Sequence, residues 1–223
     1  MHSVLRLVSA AAALTLTASA GTVVLTFGAF QNGEAPLTYW DGGAGSDGTT
    51  GGPNYGIYFG SDALSFINES SGGGLNSMEE PSGTDAAMVF LTGTGDVMDV
   101  PAGFTTGFSF DYTAPYYTGS VTVWSGLDGG GTELASISLP TTADAGNSGC
   151  GGYDYCPYAP VGVTFSGTAQ SVIFSGTQNY IIFDDITLGS STAGGAPEPA
   201  TLGLFGLGLA GLCVISRKQR KLQ

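Results

Sequence analysis

Positively charged side chains are almost absent from this sequence. Its 223 residues include five Lys and Arg and one His, against 18 Asp and Glu. Residues 21–196 contain 17 of those 18 acids and none of the basic residues. Because phosphate contacts need Lys or Arg, this composition excludes nucleic acid as a partner. Each carboxylate of this region must be solvated, accept hydrogen bonds from N–H or hydroxyl groups, or bind a metal ion.

The same absence removes most classes of enzyme. Without His or Lys, residues 21–196 can form neither a Ser-His-Asp or Cys-His arrangement nor a Schiff-base lysine. Rossmann and Walker signatures are also missing. A glycosidase that uses two carboxylates stays open, since it needs only Asp or Glu. Glu79-Glu80 is the one adjacent Glu pair, in a stretch typical of a loop.

Helical periodicity is also absent between the two ends. Short runs of alternating apolar residues are separated by Gly, Asp, Asn and Pro, and Gly alone accounts for 38 residues. In residues 104–112 the pattern places Phe104, Phe108, Phe110 and Tyr112 on one side. The run VTVWSG-LDGGGT-ELASISL predicts a hairpin with Asp128 in its turn, although a metal ligand is an alternative for that residue. We expect an antiparallel β-sandwich or jelly roll over residues 21–190, then a Gly/Ser/Thr linker at 191–196.

The N-terminus has the features of a secretory signal peptide. Arg6 precedes a short apolar stretch, and Ala18-Ser19-Ala20 fits a small-x-small cleavage site. The sequence predicts a signal helix within residues 1–20, export by the Sec translocon and cleavage by signal peptidase. The alternative is a buried core helix.

The C-terminus combines a Pro-Glu-Pro segment, an apolar run and a basic tail. The 14 apolar residues 202–215 would form a helix of roughly 21 Å, shorter than the ~30 Å hydrocarbon core. We expect the tail to stay cytoplasmic. Its cations are Arg217, Lys218, Arg220 and Lys221.

This C-terminal arrangement resembles the PEP-CTERM sorting signal, which is also catalogued at the end of some ice-binding proteins. Pro197, Glu198 and Pro199 match the motif that gives the signal its name. The resemblance implies that residues 197–223 form a sorting segment with a short transmembrane helix, which exosortase processes in the inner membrane of a Gram-negative bacterium. The protein would then reach the cell surface or extracellular matrix, where exopolysaccharide is a potential partner. A plain single-pass anchor is the alternative.

Four pieces of the central region resemble a recurrent extracellular domain seen with this signal. They are residues 52–64, 103–112, 121–139 and 165–189. Such domains are similar to the jelly rolls of carbohydrate-binding modules. The resemblance implies no catalytic residues and names no ligand.

Cys150 and Cys156 enclose a short Gly/Tyr segment. A close pair in an exported chain predicts a disulfide. A zinc site is the alternative, but the sequence offers no second Cys pair and no nearby His to complete it.

Asp184 and Asp185 interrupt an apolar strand that we expect over residues 180–188. By alternation Asp184 shares a face with Ile182, Ile186 and Leu188, and if that face is the core, a carboxylate points inward. Burying an unpaired charge is costly, which makes protonation, backbone hydrogen bonds or a structural calcium ion the three options. Asp41, Asp47 or Glu34 could supply further calcium ligands.

Aromatic residues in Gly- or Pro-rich segments are candidates for stacking on sugars. The main ones are Trp40, Tyr153, Tyr155 and Tyr158, and Tyr55, Tyr116 and Tyr117 share the same context. The alternative is that these rings anchor loops. The sequence therefore predicts a non-enzymatic surface or matrix protein that binds polysaccharide or has a structural or adhesive role. A two-carboxylate glycoside-active enzyme and an ice-binding protein are the alternatives.

Overall fold

The computed structural model describes residues 21–77, 80–142 and 151–194. These residues form β-strands and two short 3-10 turns, at Glu69–Ser71 and Leu127–Gly129. The strands are β1 (Val23–Leu25), β2 (Tyr58–Phe59), β3 (Ala63–Ile67), β4 (Ala86–Phe90), β5 (Gly95–Phe104), β6 (Gly107–Thr113), β7 (Gly119–Trp124), β8 (Glu133–Leu139), β9 (Ala159–Thr164), β10 (Ala169–Gly176) and β11 (Ile182–Leu188). The predicted all-β class is confirmed. The predicted terminal helices, in residues 1–20 and 197–223, lie outside the described residues.

The strands form two antiparallel sheets. One has six strands in the order β3-β4-β11-β6-β9, with β1 paired to β11, and the other has five in the order β2-β5-β10-β7-β8. Among the described residues the helices are single 3-10 turns, and none has the length and apolar character needed to cross a bilayer.

The core lies between the inner faces of the two sheets. Phe174 of the five-stranded sheet packs against Phe108, Phe110 and Phe183 of the six-stranded sheet, with ring centroids 5.0–6.2 Å apart. Val121 and Val123 of β7 are also wholly buried, as their alternation predicts. Face-to-face packing of two antiparallel sheets defines a β-sandwich.

The alternating pattern of residues 104–112 is that of a single strand, but in the structure these residues belong to two strands. Phe104 ends β5 in the five-stranded sheet, and Gly107 begins β6 in the other sheet. Thr106 lies between them with φ of 82°, a left-handed conformation that ends the extended run. The chain therefore crosses between sheets here, while Phe104 still contacts Phe108 at 6.0 Å.

The predicted hairpin is present as β7 and β8, paired from Gly119 with Leu139 to Trp124 with Glu133. Asp128 lies in its turn with φ of 53°. Its backbone N–H donates to Asp99 Oδ1 at 2.9 Å. Asp128 thus has the structural role of a turn residue that attaches the hairpin loop to β5.

A second layer lies on the outer face of the six-stranded sheet. We call residues 75–77, 80–82 and 153–158 the cover. Leu75 and Tyr155 of the cover pack on Val89 and Ile182. Asn76 binds the segment around Asp154 twice, because its Oδ1 accepts from Asp154 N and its Nδ2 donates to Asp154 Oδ2, each at 3.1 Å. With this layer in place, β6 and β11 are buried at every position.

Candidate functional site

Four tyrosines surround a surface hollow of about 350 Å³. Tyr116, Tyr117 and Tyr180 are 47%, 46% and 36% exposed, whereas Tyr155 is buried at the base. Tyr180 contacts Tyr117 at 4.7 Å and Tyr116 at 6.0 Å between ring centroids, and Tyr116 contacts Tyr155 at 6.0 Å. Asp154 completes the lining.

Three separate parts of the chain bring these rings together. Tyr116 and Tyr117 lie in the connection from β6 to β7, Tyr180 just precedes β11, and Tyr155 belongs to the cover. Tyr155 is held by its backbone N–H, which donates to Asn76 O at 3.1 Å, and by its hydroxyl, which donates to Asn179 O at 3.2 Å. Burial, with a smaller effect of the neighbouring tyrosines, raises the pKa of Tyr155, so its phenol stays neutral.

A second hollow of about 230 Å³ adjoins the first, and Tyr155 lines both. Asn76 and Asn179 are among its lining residues. We call the two hollows together the tyrosine groove. It combines aromatic surface with amide and carboxylate groups, the combination that recognises a ligand with apolar faces and many hydroxyls.

The predicted stacking residues differ in where the structure places them. The prediction for Trp40 is wrong: this residue is 3% exposed and packs edge-on against Phe27 and Phe30 at 5.4 and 5.3 Å. An aromatic cluster under the Gly-rich loop therefore holds Trp40, so its face cannot receive a sugar. Tyr155 does line the groove.

The other two predicted rings are not among the residues that line the hollows. The hydroxyl of Tyr158 lies within the cover, 2.9 Å from Ser77 Oγ. Tyr153 is half-buried next to Asp154 and is not among the residues that line either hollow. Sequence reasoning assigned Tyr180 to the last strand, but β11 begins at Ile182. Its position directly after the polar run SGTQN was the available sign of a loop aromatic.

A bulge changes which side Asp184 faces. The register between β11 and β6 shifts between Asp184 and Thr187, and Asp185 has φ of 49°. Ile186 and Leu188 consequently belong to the central core, whereas Ile182 belongs to the cluster under the cover. The prediction that Asp184 shares a face with Ile186 and Leu188 is wrong. Asp184 is buried on the outer face, opposite Asp111 of β6.

Buried carboxyls lie around Asp184. Its Oδ2 accepts from Ser82 N at 3.1 Å, and burial, which exceeds the effect of this hydrogen bond, raises its pKa to about 7. Burial, helped by the nearby charge of Asp185, raises the pKa of Asp111 to about 6. Glu80 of the cover is also buried. Sequence reasoning missed Asp111 and Glu80 as neighbours of Asp184, because no local pattern indicated the cover.

Glu34 is buried as an ionised carboxylate. It accepts hydrogen bonds from the backbone N–H groups of Gln31, Asp47 and Thr49 at 2.8–3.2 Å, and from Thr49 Oγ1 at 2.6 Å. Burial raises its pKa, but the bonds from Thr49, Gln31 and Asp47 together exceed that effect, and the net pKa is lowered. Glu34 thus closes the 31–49 loop.

The other predicted calcium ligands do not join Asp184. Asp41 forms a bridge with Asn54, and Asp47 donates its N–H to Glu34. Cys156 is disulfide-bonded, while Cys150 lies outside the described residues, so their pairing stays a prediction. Within residues 21–77, 80–142 and 151–194, no three Asp, Glu, His or Cys side chains have the mutual spacing of a metal site.

Comparison with known proteins identifies the C-terminal segment. Residues 196–221 match the family of the PEP-CTERM protein-sorting motif, which confirms the motif predicted there and indicates an exported protein. The described residues do not include the motif Pro197, Glu198 and Pro199 or the four cations that follow it. No curated protein matches the chain.

Several solved β-sandwich domains show a distant likeness to the chain. The C-terminal CBM6 of LamC, a marine laminarinase from Zobellia galactanivorans, has 17% identity and a TM-score of 0.35 over 60% of this chain and 91% of its own. CsCBM6-3 from Clostridium stercorarium, solved with cellobiose, has 18% identity and a TM-score of 0.35 over 60% of this chain and 86% of its own. A β-1,3-glucan-binding CBM6 from Bacillus halodurans has 16% identity and a TM-score of 0.34 over 61% of this chain and 87% of its own.

Proposed function

We propose that this chain is an exported, non-enzymatic protein that binds neutral polysaccharide at the cell surface or in the extracellular matrix. The observation that carries the proposal is the tyrosine groove. Three exposed rings and a fourth at the base offer flat apolar surface, and Asp154 and the two asparagines offer hydrogen-bonding groups around it. Two adjoining hollows suit a chain of sugars better than a single sugar.

Charge narrows the class of polysaccharide. Residues 21–196 contain 17 acids and no Lys, Arg or His, so the field of the domain repels anionic polymers. Asp154 lies in the groove itself. A polysaccharide without uronate, sulfate or phosphate groups avoids this repulsion, which is why we assign a neutral ligand.

The carboxylate content of the groove supports binding rather than hydrolysis. Glycosidases with two catalytic carboxyls place them about 5–10 Å apart across the bound bond. Asp154 is the one carboxylate among the described residues that line the two hollows. Hydrolysis of a bound oligosaccharide by the wild-type chain, and its loss in Asp154→Asn, would favour the glycoside-active alternative instead.

The matched C-terminal motif supports the route to the surface. In this proposal the Sec translocon exports the chain, signal peptidase removes residues 1–20, and exosortase recognises Pro197, Glu198 and Pro199. The basic residues Arg217, Lys218, Arg220 and Lys221 hold the tail on the cytoplasmic side of the inner membrane until processing. Replacing both prolines with Ala should leave the unprocessed chain in the inner-membrane fraction of the native Gram-negative host.

The binding test compares two tyrosines of equal exposure. A glycan array first selects a neutral oligosaccharide, and titration calorimetry then measures its affinity for wild type, Tyr117→Ala and Tyr55→Ala. Tyr117 is 46% exposed in the groove, and Tyr55 is 45% exposed in a different hollow. We expect Tyr117→Ala to weaken binding by about 5- to 30-fold, the effect of losing an interface anchor, and Tyr55→Ala to leave it unchanged.

Two results would contradict this assignment. Equal losses in Tyr117→Ala and Tyr55→Ala would place the ligand outside the groove. An anionic polysaccharide that binds more tightly than its neutral counterpart at low salt would overturn the argument from charge.

A further inference from the structure

Four buried acids lie on the outer face of the six-stranded sheet, on strands and loops that are distant in sequence. Asp111 is on β6, Asp184 and Asp185 are on β11, and Glu80 is on the cover. Asp111 and Asp184 are direct cross-strand neighbours. Because residues 21–196 contain no Lys, Arg or His, no side chain of this region can neutralise them.

Two of these acids have an oxygen with no hydrogen-bond partner. Asp184 is 0% exposed, and its Oδ2 accepts from Ser82 N, but its Oδ1 is buried without a partner. Glu80 is 6% exposed, and its Oε2 accepts from Asn68 Nδ2 at 3.1 Å, whereas its Oε1 is buried without a partner. A buried polar atom left without a partner is costly and needs an explanation.

Glu80 and Asp184 are connected through Ser82 and Tyr158. Ser82, which donates to Asp184, is two residues from Glu80. Burial raises the pKa of Tyr158, and the charges of Glu80, Asp184 and Asp111 raise it further. Its hydroxyl lies 2.9 Å from Ser77 Oγ of the cover. Glu80, Asp184 and Asp111 therefore lie around one phenol, and Asp185 adds its charge next to Asp111 and Asp184.

We propose that Glu80 and Asp184 bind one divalent cation of the Ca²⁺ type between the sheet and the cover. The unpartnered oxygens Oε1 and Oδ1 would become ligands, and the two charges of the cation would offset those of Glu80 and Asp184. No three acidic side chains within the described ranges have the spacing of a metal site, so backbone and hydroxyl oxygens must complete the coordination. Ca²⁺ accepts such mixed oxygen ligands and variable geometry, whereas Mg²⁺ demands a near-ideal octahedron.

The position of this site links it to the groove. The cover carries Tyr155 and Asp154, which line the groove, on the segment paired with Asn76 and Ser77. A cation that attaches Glu80 to Asp184 would fix residues 80–82 on the sheet, beside Tyr158 of the segment that carries Asp154 and Tyr155. We therefore expect calcium to strengthen polysaccharide binding by ordering the base of the groove, an expectation that rests on the proposed function.

The first experiment measures calcium binding without any glycan. The purified full-length chain, stripped with EDTA, is titrated with CaCl₂ by calorimetry and followed by thermal unfolding. We expect one Ca²⁺ per chain and, at a hundredfold excess over its dissociation constant, a rise in Tm of about 5–10 °C. No heat of binding and no change in Tm at millimolar calcium would overturn the proposal.

Matched variants assign the site. Glu80→Gln keeps an oxygen to accept the Asn68 bond and should therefore fold, but it should lose at least tenfold in calcium affinity, as should Asp184→Asn. Asp96→Asn is the control, because Asp96 is also buried with an unpartnered Oδ2, on the five-stranded sheet. Its calcium response should equal that of wild type. Unchanged affinity in Glu80→Gln would refute the assignment.

The two proposals fail separately. Polysaccharide affinity is measured in calcium and in EDTA with the same chain. Calcium that raises Tm without changing polysaccharide affinity would keep the metal site and refute its link to the groove. Polysaccharide binding in a chain that shows no calcium heat would keep the proposed function and refute the metal site.

Discussion

Asp96→Asn tests whether a buried carboxyl makes this domain less stable as the pH rises. Asp96 is 5% exposed, and its Oδ2 has no hydrogen-bond partner. Burial raises its pKa from 3.8 to about 7, and the opposing hydrogen bonds from the N–H groups of Val97 and Ala63 only limit this rise. Asn resembles the protonated acid in shape and stays neutral at every pH.

The sign and size of the effect follow from the two pKa values. The folded state keeps the proton of Asp96 up to about pH 7, whereas the unfolded chain releases it near 3.8. The stability that this group contributes is therefore complete below the unfolded pKa and is lost as the pH rises through the folded one. At 1.36 kcal/mol per pKa unit the total loss is about 4 kcal/mol, of which about 3 kcal/mol falls between pH 4.5 and 8.

Urea unfolding of both proteins in EDTA, at several pH values from 4.5 to 8, provides the measurement. The free energies of unfolding should be similar at pH 4.5, and at pH 8 the variant should be more stable by about 3 kcal/mol. Burial also raises the pKa of Asp111 and Asp184, but these residues are common to both proteins and cancel in the difference. A difference that changes by less than about 1 kcal/mol across the range would refute the reasoning.

Two further substitutions test other parts of the fold by the same urea assay. Trp40→Ala should lower the free energy of unfolding by about 3–5 kcal/mol, because it empties the cluster with Phe27 and Phe30; a loss below about 1 kcal/mol would mean that Trp40 is not a core residue. Glu34→Gln should cost about 1.5–3 kcal/mol at pH 7, because the ionised carboxylate accepts four hydrogen bonds. Since the pKa of Glu34 is lowered, that cost should shrink as the pH falls through it, and a cost that is constant down to pH 3 would contradict the role assigned to its charge.

The sequence predicts the strands far better than it predicts the layer outside them. Alternation placed Val121 and Val123 of β7 inside, because one face of that strand is buried and the other is partly solvated. It failed at Asp184 because a bulge at Asp185 adds one residue to the repeat. A left-handed Asp is permitted by the local sequence but is not indicated by it.

The tyrosine groove could be predicted only in part. Tyr116, Tyr117 and Tyr155 could be selected as loop aromatics, but their meeting depends on three chain segments that join only in the folded protein. Selecting aromatic residues in Gly-rich segments gave a wrong prediction for Trp40, because the Gly-rich loop folds inward over an aromatic cluster. Composition shows that a ring lies in a loop, and only tertiary packing decides whether the loop exposes it.

The lack of cations and the abundance of glycine are related, because loops rich in glycine bring backbone N–H donors to the buried carboxylates. In a domain without Lys or Arg, backbone N–H groups are the main donors that can reach a buried carboxylate, and loops must bring them there. Glu34 accepts from three such groups in one loop, Asp99 accepts from Asp128 N, and Asp184 accepts from Ser82 N. Tight loops need left-handed positions, which Gly adopts at little cost. Among the described residues, Asp184 Oδ1, Glu80 Oε1 and Asp96 Oδ2 have no such donor. At Asp96 a retained proton compensates for the missing donor, and at Glu80 and Asp184 the proposed cation would do so.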